Sequence, residues 1–313
     1  MATYGPAPGH ASTTVAGGAA GTPHVPGDTR GPGGTDRAPT TAPQVRARKG
    51  SGRPLVMVTA YDAPSARVAD AAGVDLILVG DSVAMVVLGY DDTLHVSVDD
   101  MAHHTAAVAR ARPSAMVVAD MPWLSYHTGA ADAVRNAATL VRAGAQAVKL
   151  EGGRKRLAAI QAIVDAEIPV MGHLGLTPQS VHQMGGFKVQ AKDHEAARAL
   201  LDDARAIAEA GCFAIVLEGV PDVVAEEVTD SVPVPTIGIG AGVHCDGQVL
   251  VFHDVLGFGE GRAPKFVRRY AALHADATDA LAAWAADVRA GRFPADEESY
   301  HVGVALAGGR AVG

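Results

Sequence analysis

After residue 53 the chain alternates short apolar runs with longer amphipathic ones. The apolar runs are rich in Val, Ile and Leu and do not alternate strictly between apolar and polar positions. Continuous apolar runs of this length are typical of parallel strands that are buried on both faces. A weaker signal for a further strand covers residues 249–255. The clearer signals predict strands at residues 55–60, 76–79, 115–119, 147–150, 169–171, 214–217 and 236–239.

Helical patterns separate the predicted strands, and they cover residues 64–72, 99–111, 129–143 and 195–210. Repeated strand–helix units form right-handed crossovers and build a parallel sheet. Seven or eight units at a spacing of ~30 residues favour an α/β fold closed into a (β/α)₈ barrel, the TIM barrel. An open sheet would more often carry a Gly-rich dinucleotide turn after its first strand, and the sequence 59–62, Thr-Ala-Tyr-Asp, has none.

The two ends of the chain differ in composition from the rest. Residues 1–50 are crowded with Gly, Pro, Thr and Ala and contain few large apolar residues. Such a segment buries too little apolar surface to offset the entropy lost on ordering, which predicts a disordered tail. The predicted catalytic barrel covers residues 51–300, and residues 301–313 are predicted to form a flexible C-terminal tail.

Charge and cysteine content exclude several classes of function. The net charge of −8 argues against a nucleic-acid partner, because such proteins carry clustered Lys and Arg. The two cysteines do not form a disulfide framework, and Cys212 follows the pattern of a reduced core thiol. We find neither a membrane-spanning run nor a signal peptide, and we expect a cytoplasmic enzyme.

Four acidic residues stand at or just after the ends of predicted strands two, three, four and six: Asp81, Asp120, Glu151 and Glu218. In a barrel the carboxyl ends of the strands line the active site, so these side chains are expected to share one mouth. A single acid there is commonly a helix N-cap, but four at one mouth repel each other and require compensation. A hard divalent cation such as Mg²⁺ provides it, and no His/Cys cluster at zinc spacing is present.

Other polar residues follow the same strand ends. Lys149 lies two residues before Glu151 and so faces the same side of its strand. Lys149 could instead form a salt bridge with a neighbouring acid, and His173 could be a core histidine. The glycine-rich segment Gly238–Gly242 is compatible with an anion cradle, and tight packing at the barrel rim explains it equally well.

Several motifs together resemble the ketopantoate hydroxymethyltransferase family. The most specific is Gly-His-Leu-Gly-Leu-Thr-Pro-Gln-Ser at 172–180. The others, in order, are Leu-Val-Gly-Asp-Ser at 78–82, Ala-Asp-Met-Pro at 119–122, Val-Lys-Leu-Glu-Gly-Gly at 148–153, Gly-Gly-Phe-Lys-Val-Gln at 185–190, Ile-Gly-Ile-Gly-Ala-Gly at 237–242 and Asp-Gly-Gln at 246–248. The resemblance extends over roughly residues 53 to 300. One departure is Gly219, where relatives often carry a bulkier residue.

The resemblance implies a barrel of the phosphoenolpyruvate/pyruvate superfamily, commonly a homodecamer, that uses Mg²⁺ and 5,10-methylenetetrahydrofolate. The implied reaction converts 3-methyl-2-oxobutanoate to 2-dehydropantoate (ketopantoate) through a Mg²⁺-stabilised enolate, the first step of pantothenate biosynthesis. By motif position, the metal ligands are Asp81, Asp120 and Glu151, and the base is Glu218. The implied substrate-binding residues are Asp81, Ser82, Asp120, Lys149 and His173.

Two other hypotheses remain open at this point. One is another Mg²⁺-dependent 2-oxo acid lyase or mutase of the same superfamily. A lyase of that kind needs a reactive cysteine loop, and neither Cys212 nor Cys245 follows a strand end directly. The other is a non-catalytic barrel that binds an anion at Gly238–Gly242, a view that leaves the clustered acids unexplained.

Overall fold

The computed structural model of the protein describes residues 37–259 and 263–301. Its parallel strands close into a barrel in chain order, and the last strand pairs with the first. This confirms the predicted (β/α)₈ barrel. The strands are β1 Leu55–Thr59, β2 Leu76–Val79, β3 Met116–Asp120, β4 Ala147–Glu151, β5 Val170–Gly175, β6 Ala214–Glu218, β7 Thr236–Ile239 and β8 Gly247–Val251.

Helices follow most strands, and polar N-caps begin several of them. Asp62 accepts a hydrogen bond from the backbone N–H of Ser65 at 2.8 Å, and Asp193 accepts one from Ala196 at 2.8 Å. The helices are α1 Ala42–Arg46, α2 Ala63–Ala71, α3 Val83–Val86, α4 Val98–Ala109, α5 Ala130–Arg142, α6 Leu157–Asp165, α7 Val181–Met184, α8 His194–Glu209, α9 Asp222–Ser231, α10 Phe252–Leu256 and α11 Leu273–Arg289. Short 3₁₀ turns lie at Arg154–Arg156, Pro178–Ser180 and Asp296–Glu298.

Two apolar cores result from the alternation of side chains along each strand. One lies between the strands and the surrounding helices and includes Ile77, Leu150 and Ile215. The other fills the inside of the barrel and includes Met57 and Met171. Because both faces of each strand are buried, the strands have the continuous apolar sequences noted above.

Helix α1 changes the predicted boundary of the N-terminal tail. It lies within residues 1–50, yet the Val45 side chain is 0% exposed and belongs to the core inside the barrel. Ala42 joins the same core, and Lys49 forms a 3.0 Å ion pair with Asp246. Residues 37–50 therefore fold with the barrel. Two apolar side chains are enough to hold this short helix in place, because they cover an apolar surface that the barrel already presents. The composition of residues 1–50 does not reveal that surface.

The chain beyond β7 also differs from the prediction. The apolar run 249–255 contains the end of β8 and nearly all of α10, and β8 begins earlier, at Gly247. Helix α11 has no buried residue. Residues 1–36 of the predicted N-terminal tail and residues 302–313 of the predicted C-terminal tail lie outside the described residues. In the described part of the chain no helix is both long and apolar enough to cross a membrane, and the cytoplasmic location stays a prediction.

Candidate active site

A cavity of about 310 Å³ opens at the carboxyl ends of the strands. Its wall brings together all the site residues predicted from the sequence: Asp81, Ser82, Asp120, Lys149, Glu151, His173 and Glu218. They come from five different strands or from the loops that directly follow them. Barrel closure therefore assembles residues that lie up to 137 positions apart in the sequence, as the strand-end argument predicted.

Asp81 and Asp120 form one side of the site and are buried, with 4% and 3% of their surface exposed. The backbone N–H of Asp81 donates to Asp120 Oδ2 at 3.0 Å. The Lys149 ammonium group lies 2.7 Å from Asp120 Oδ1. Both oxygens of Asp120 thus already contact a donor, which fixes the orientation of its carboxylate.

Gln179 connects two of the acids. Its side-chain NH₂ donates to Asp81 Oδ2 at 2.8 Å, and its backbone N–H donates to Glu151 Oε2 at 3.0 Å. The Tyr126 hydroxyl donates to Gln179 Oε1 at 2.5 Å and accepts from the Glu151 backbone N–H at 3.1 Å. Gln179 and Tyr126 therefore fix the positions of Asp81 and Glu151 through hydrogen bonds. No role was predicted for Gln179, although it lies in the most specific motif.

Lys149 determines the tautomer of His173. Lys149 Nζ lies 3.1 Å from His173 Nδ1, and an ammonium group can only donate. Burial and the charge of Lys149 lower the pKa of His173, so its ring is neutral. We infer that Nδ1 accepts a hydrogen bond from the Lys149 ammonium group and that the ring carries its own proton on Nε2.

The Nε2 atom of His173 lies beside Glu218, the acid that the sequence suggested as the base. Nε2 lies 3.3 Å from Glu218 Oε2, but the two groups are not aligned as a hydrogen bond, and Nε2 has no other partner among the described residues. The Glu218 side chain is 17% exposed, whereas that of His173 is 3% exposed. An unsatisfied buried donor beside an accessible carboxylate leaves both groups available to a bound ligand.

The charges in this cavity do not balance. Five carboxylates and one ammonium group line the cavity. Burial together with the neighbouring Asp120 raises the pKa of Asp81 to about 7. Burial and Asp81 likewise raise the pKa of Glu151 well above its ordinary value. Burial lowers the pKa of Lys149, but the charges of the surrounding acids outweigh it, and the net pKa is raised. The acids of the cavity therefore outnumber its one ammonium group, that of Lys149.

A divalent cation suits this donor set. Among residues 37–259 and 263–301, no three His, Cys, Asp or Glu side chains converge closely enough to hold an ion by themselves. Mg²⁺ does not require such a cage, because it usually binds one or two carboxylates together with water and substrate oxygens. Asp81 and Asp120, at the ends of neighbouring strands, can supply those carboxylates.

Other residues of the cavity were not predicted. Asp254, Phe187 and Phe266 line it, and burial raises the pKa of Asp254. These residues come from α10 or from loops, where no strand end marks the position. Ser82 was predicted, and its hydroxyl lies 2.9 Å from that of Tyr61.

The glycine-rich segment Gly238–Gly242 is tightly packed. A Cβ at Gly238 would lie 3.0 Å from Cys245 Sγ, and one at Gly242 would lie 2.5 Å from Asp222 Cβ. This packing explains the small residues without an anion. Gly219 has a φ of +55°, and a Cβ there would approach Leu176 at 3.3 Å; Gly219 is not among the residues that line the cavity.

A closed barrel with acids, a lysine and a histidine around one cavity at its strand ends defines a (β/α)₈-barrel enzyme for a small molecule. The particular family follows from the sequence. The profile of the family described as ketopantoate hydroxymethyltransferase matches residues 39–296. The chain belongs to this family.

Individual relatives agree with this assignment. The chain is 58% identical over 262 residues to 3-methyl-2-oxobutanoate hydroxymethyltransferase 2 of Bradyrhizobium diazoefficiens, covering 84% of this chain and 89% of that one. It is 55% identical over 257 residues to 3-methyl-2-oxobutanoate hydroxymethyltransferase of Geobacter metallireducens, covering 82% and 96%.

Solved structures share the fold at low identity. Phosphoenolpyruvate phosphomutase from Streptomyces platensis subsp. rosaceus matches with a TM-score of 0.56 and 17% identity, over 84% of this chain and 92% of that one. Phosphonopyruvate hydrolase in complex with oxalate and Mg²⁺ matches with a TM-score of 0.54 and 16% identity, over 83% and 93%.

Proposed function

We propose that this chain transfers a hydroxymethyl group from 5,10-methylenetetrahydrofolate to 3-methyl-2-oxobutanoate and forms 2-dehydropantoate. The observation that carries the proposal is the grouping of Asp81, Asp120, Lys149, Glu151 and Glu218 around one cavity. This donor set suits a small 2-oxo acid, because such a substrate is anionic, binds cations through its oxygens and must lose a proton from carbon. Membership of the ketopantoate hydroxymethyltransferase family supports the choice of substrates.

The metal ligands in this proposal are Asp81 and Asp120, with Glu151 bound directly or through a water. When bound, Mg²⁺ supplies Lewis-acid polarisation of the keto group. The excess of carboxylates over ammonium groups supports the assignment, since a cation would relieve the repulsion that raises the pKa of Asp81 and Glu151. Gln179 donates a hydrogen bond to one oxygen of Asp81 and to one oxygen of Glu151, which keeps both carboxylates in place.

The remaining residues position the oxo acid and its proton. Lys149 places a positive charge near the carboxylate and the oxygen on which negative charge develops. Ser82, which lines the cavity, donates to the substrate carboxylate. The Nε2–H of His173 is a fixed donor between the substrate and Glu218. All three groups are held by neighbours before the substrate arrives, which reduces the cost of orienting them.

Glu218 acts as the general base. A C–H bond of the substrate at C3 breaks, the proton goes to a Glu218 oxygen, and the electron pair remains on the oxo acid as its enolate. That carbon then forms a bond to the one-carbon unit of the folate. The overall reaction consumes one water, whose oxygen becomes the new hydroxyl group, and releases tetrahydrofolate. Glu218 suits this role because its side chain is 17% exposed, against 5% for Asp120 and 4% for Glu151.

The test separates proton removal from transfer. The wild-type protein with Mg²⁺ and the oxo acid should exchange the C3 hydrogen with deuterated solvent in the absence of folate. Glu218→Gln should lose exchange and product formation together, by about 10²–10⁴-fold, the usual contribution of a general base. Glu209→Gln, an exposed acid at the end of α8, is the matched control. Normal exchange by Glu218→Gln would move the base to another group.

A lyase or mutase of the same superfamily is not favoured by any feature of the site. Cys212 and Cys245 are both buried and do not line the cavity. Burial raises the pKa of both thiols, which opposes a reactive thiolate. An assay for pyruvate-type products with 3-methyl-2-oxobutanoate derivatives provides the comparison.

We also propose a homo-oligomer, with the decamer implied by the resemblance as the expected state. Two observations support self-association. Helix α11 exposes Leu281, Trp284 and Val288 to solvent. An apolar groove of about 270 Å³ lies on the outside of the barrel between β1, β8 and α2, and it leaves Val56 and Val68 half exposed. In a (β/α)₈ barrel a helix usually covers the outside of each pair of neighbouring strands. We therefore expect a helix from a second copy of the chain to pack in this groove over β1 and β8. Light scattering coupled to gel filtration measures the state.

A further inference from the structure

The side chain of Ser82 does not serve the helix that it precedes. Ser82 is the N-cap residue of α3, a position where a serine hydroxyl commonly accepts a hydrogen bond from an N–H of the first turn. Here the side chain makes no such bond, and the N–H of Ala84 donates to the Asp81 carbonyl at 3.0 Å. The Ser82 Oγ lies 2.9 Å from the hydroxyl of Tyr61 instead, and Ser82 lines the cavity of the proposed oxo acid site. A tyrosine therefore holds this hydroxyl.

Tyr61 lies behind Ser82 and is not among the residues that line the cavity. It follows β1 directly and is 1% exposed. Its backbone carbonyl accepts a hydrogen bond from His104 Nδ1 at 2.9 Å, and its ring packs against that of His253 with the centroids 5.7 Å apart. Burial raises the pKa of Tyr61, so its hydroxyl keeps its proton. The phenol is thus a fixed, neutral group that reaches a ligand only through Ser82.

Only one direction of the hydrogen bond between these residues satisfies both hydroxyl groups, each of which has a single proton. The Tyr61 hydroxyl makes no other hydrogen bond within residues 37–259 and 263–301. If Ser82 donated to it, the Tyr61 proton would be buried without an acceptor, which is a costly arrangement. If Tyr61 donates, Ser82 Oγ is its acceptor and the Ser82 proton is free to point into the cavity. Tyr61 is therefore the donor.

We propose that Tyr61 is a positioning residue, whose hydroxyl donates to Ser82 Oγ and so leaves the Ser82 proton directed at the carboxylate of the oxo acid. The inference rests on the proposed function, in which Ser82 donates to that carboxylate. A carboxylate has acceptors only, so a serine hydroxyl binds it only when its own proton is available. Tyr61 occupies the accepting side of Ser82 and reserves its donor for the ligand. Because the donor is held before binding, less entropy is lost when the oxo acid arrives.

Tyr61→Phe removes the hydroxyl and keeps the ring. Calorimetric titration of the full chain with 3-methyl-2-oxobutanoate, with Mg²⁺ present, should show about ten-fold weaker binding, because a hydrogen bond to a charged acceptor is no longer held in place. The KM for the oxo acid in the C3 exchange reaction should rise equally. The exchange rate at saturating oxo acid should stay within about two-fold, since the carboxylate contact is the same before and during proton removal. Tyr300→Phe, the same change at an exposed tyrosine, should alter none of these quantities.

Ser82→Ala shows whether Tyr61 acts through Ser82. This variant alone should weaken oxo acid binding about as much as Tyr61→Phe does. The double variant should bind no more weakly than Ser82→Ala, because the Tyr61 hydroxyl then has nothing left to orient. Unchanged affinity in either single variant, or losses that add in the double variant, would overturn the proposal. A fall in the saturated exchange rate or in Mg²⁺ affinity as large as the loss of oxo acid affinity would make the role of Tyr61 purely structural and overturn it as well.

The same measurements report separately on the proposed function. A wild-type protein that binds the oxo acid with Mg²⁺ but does not exchange its C3 hydrogen would refute the proposed function. The binding constants of the three variants would still decide the role of Tyr61, because they require no turnover. A wild-type protein that does not bind the oxo acid at all would refute both.

Discussion

Removal of the N-terminal residues through 48 is expected to destabilise the barrel, whereas removal of residues 1–36 is not. The reason is helix α1, which covers one end of the core inside the barrel. Full burial of a valine side chain such as Val45 contributes about 1.5–3 kcal/mol. The Thr40 N–H donates to Ser114 O at 2.8 Å, a hydrogen bond that contributes about 1 kcal/mol. Arg48 lies 3.5 Å from Asp75, and this pair contributes at most about 1 kcal/mol.

Together these contacts amount to about 3–5 kcal/mol, which corresponds to a fall in melting temperature of roughly 6–20 °C for a barrel of this size. Thermal unfolding of the full chain and of both truncated chains, at equal protein concentration, measures the difference. Val45→Ala should reproduce about 2 kcal/mol of it, and Arg46→Ala, on the exposed side of the same helix, should reproduce almost none. If the chain lacking residues 1–48 melts within 2 °C of the chain lacking 1–36, the assignment of α1 to the core is wrong.

Three further predictions concern the site and the assembly. Asp120→Asn should weaken Mg²⁺ binding at least ten-fold by calorimetry and leave the circular dichroism spectrum unchanged, with the exposed Asp132→Asn as control. Metal-free protein should lose stability as the pH rises from about 4 toward 7, because the pKa of Asp81 is raised to about 7 in the fold and the folded state holds its proton more tightly than the unfolded chain; Asp81→Asn should flatten that slope. Trp284→Glu, on the exposed surface of α11, should shift the protein to smaller oligomers in gel filtration while a dilute sample keeps its helical content.

The barrel was predictable because its strands are buried on both faces. β2 and β7 coincide with the predicted runs. β2 consists entirely of Leu, Ile and Val, and β7 carries Ile at 237 and 239. The start of β8 was predicted two residues too late, at 249 instead of Gly247, because its first residues are not apolar. Its first residue, Gly247, packs against β1 so closely that a Cβ there would lie 2.6 Å from Leu55 O. A glycine that allows two backbones to approach closely adds nothing to an apolar pattern, so the start of β8 was missed. The apolar residues that follow continue from β8 into α10, which hides the end of the strand.

The sequence was enough to predict which residues form the site, but not the hydrogen bonds that connect them. The positions of Asp81, Asp120 and Glu151 follow from strand ends alone, because the barrel determines where those ends meet. The contacts of Gln179 depend on the path of the loop after β5, and no periodic pattern specifies that path. No role was predicted for Asp254, which follows no clear strand signal. Its position in the cavity wall depends on the turn from β8 into α10.

The contacts that hold the acids in place supply little positive charge. The donors that fix the acids are a lysine, an amide and backbone N–H groups, and only the lysine brings a full charge. They determine the direction of each carboxylate without neutralising it, so the repulsion among Asp81, Asp120 and Glu151 remains in the folded protein. Replacing Gln179 with a second lysine would relieve that repulsion, but the added charge would oppose the Mg²⁺ that we propose for this site. The neutral amide at this position is therefore the residue that keeps the site both rigid and short of positive charge.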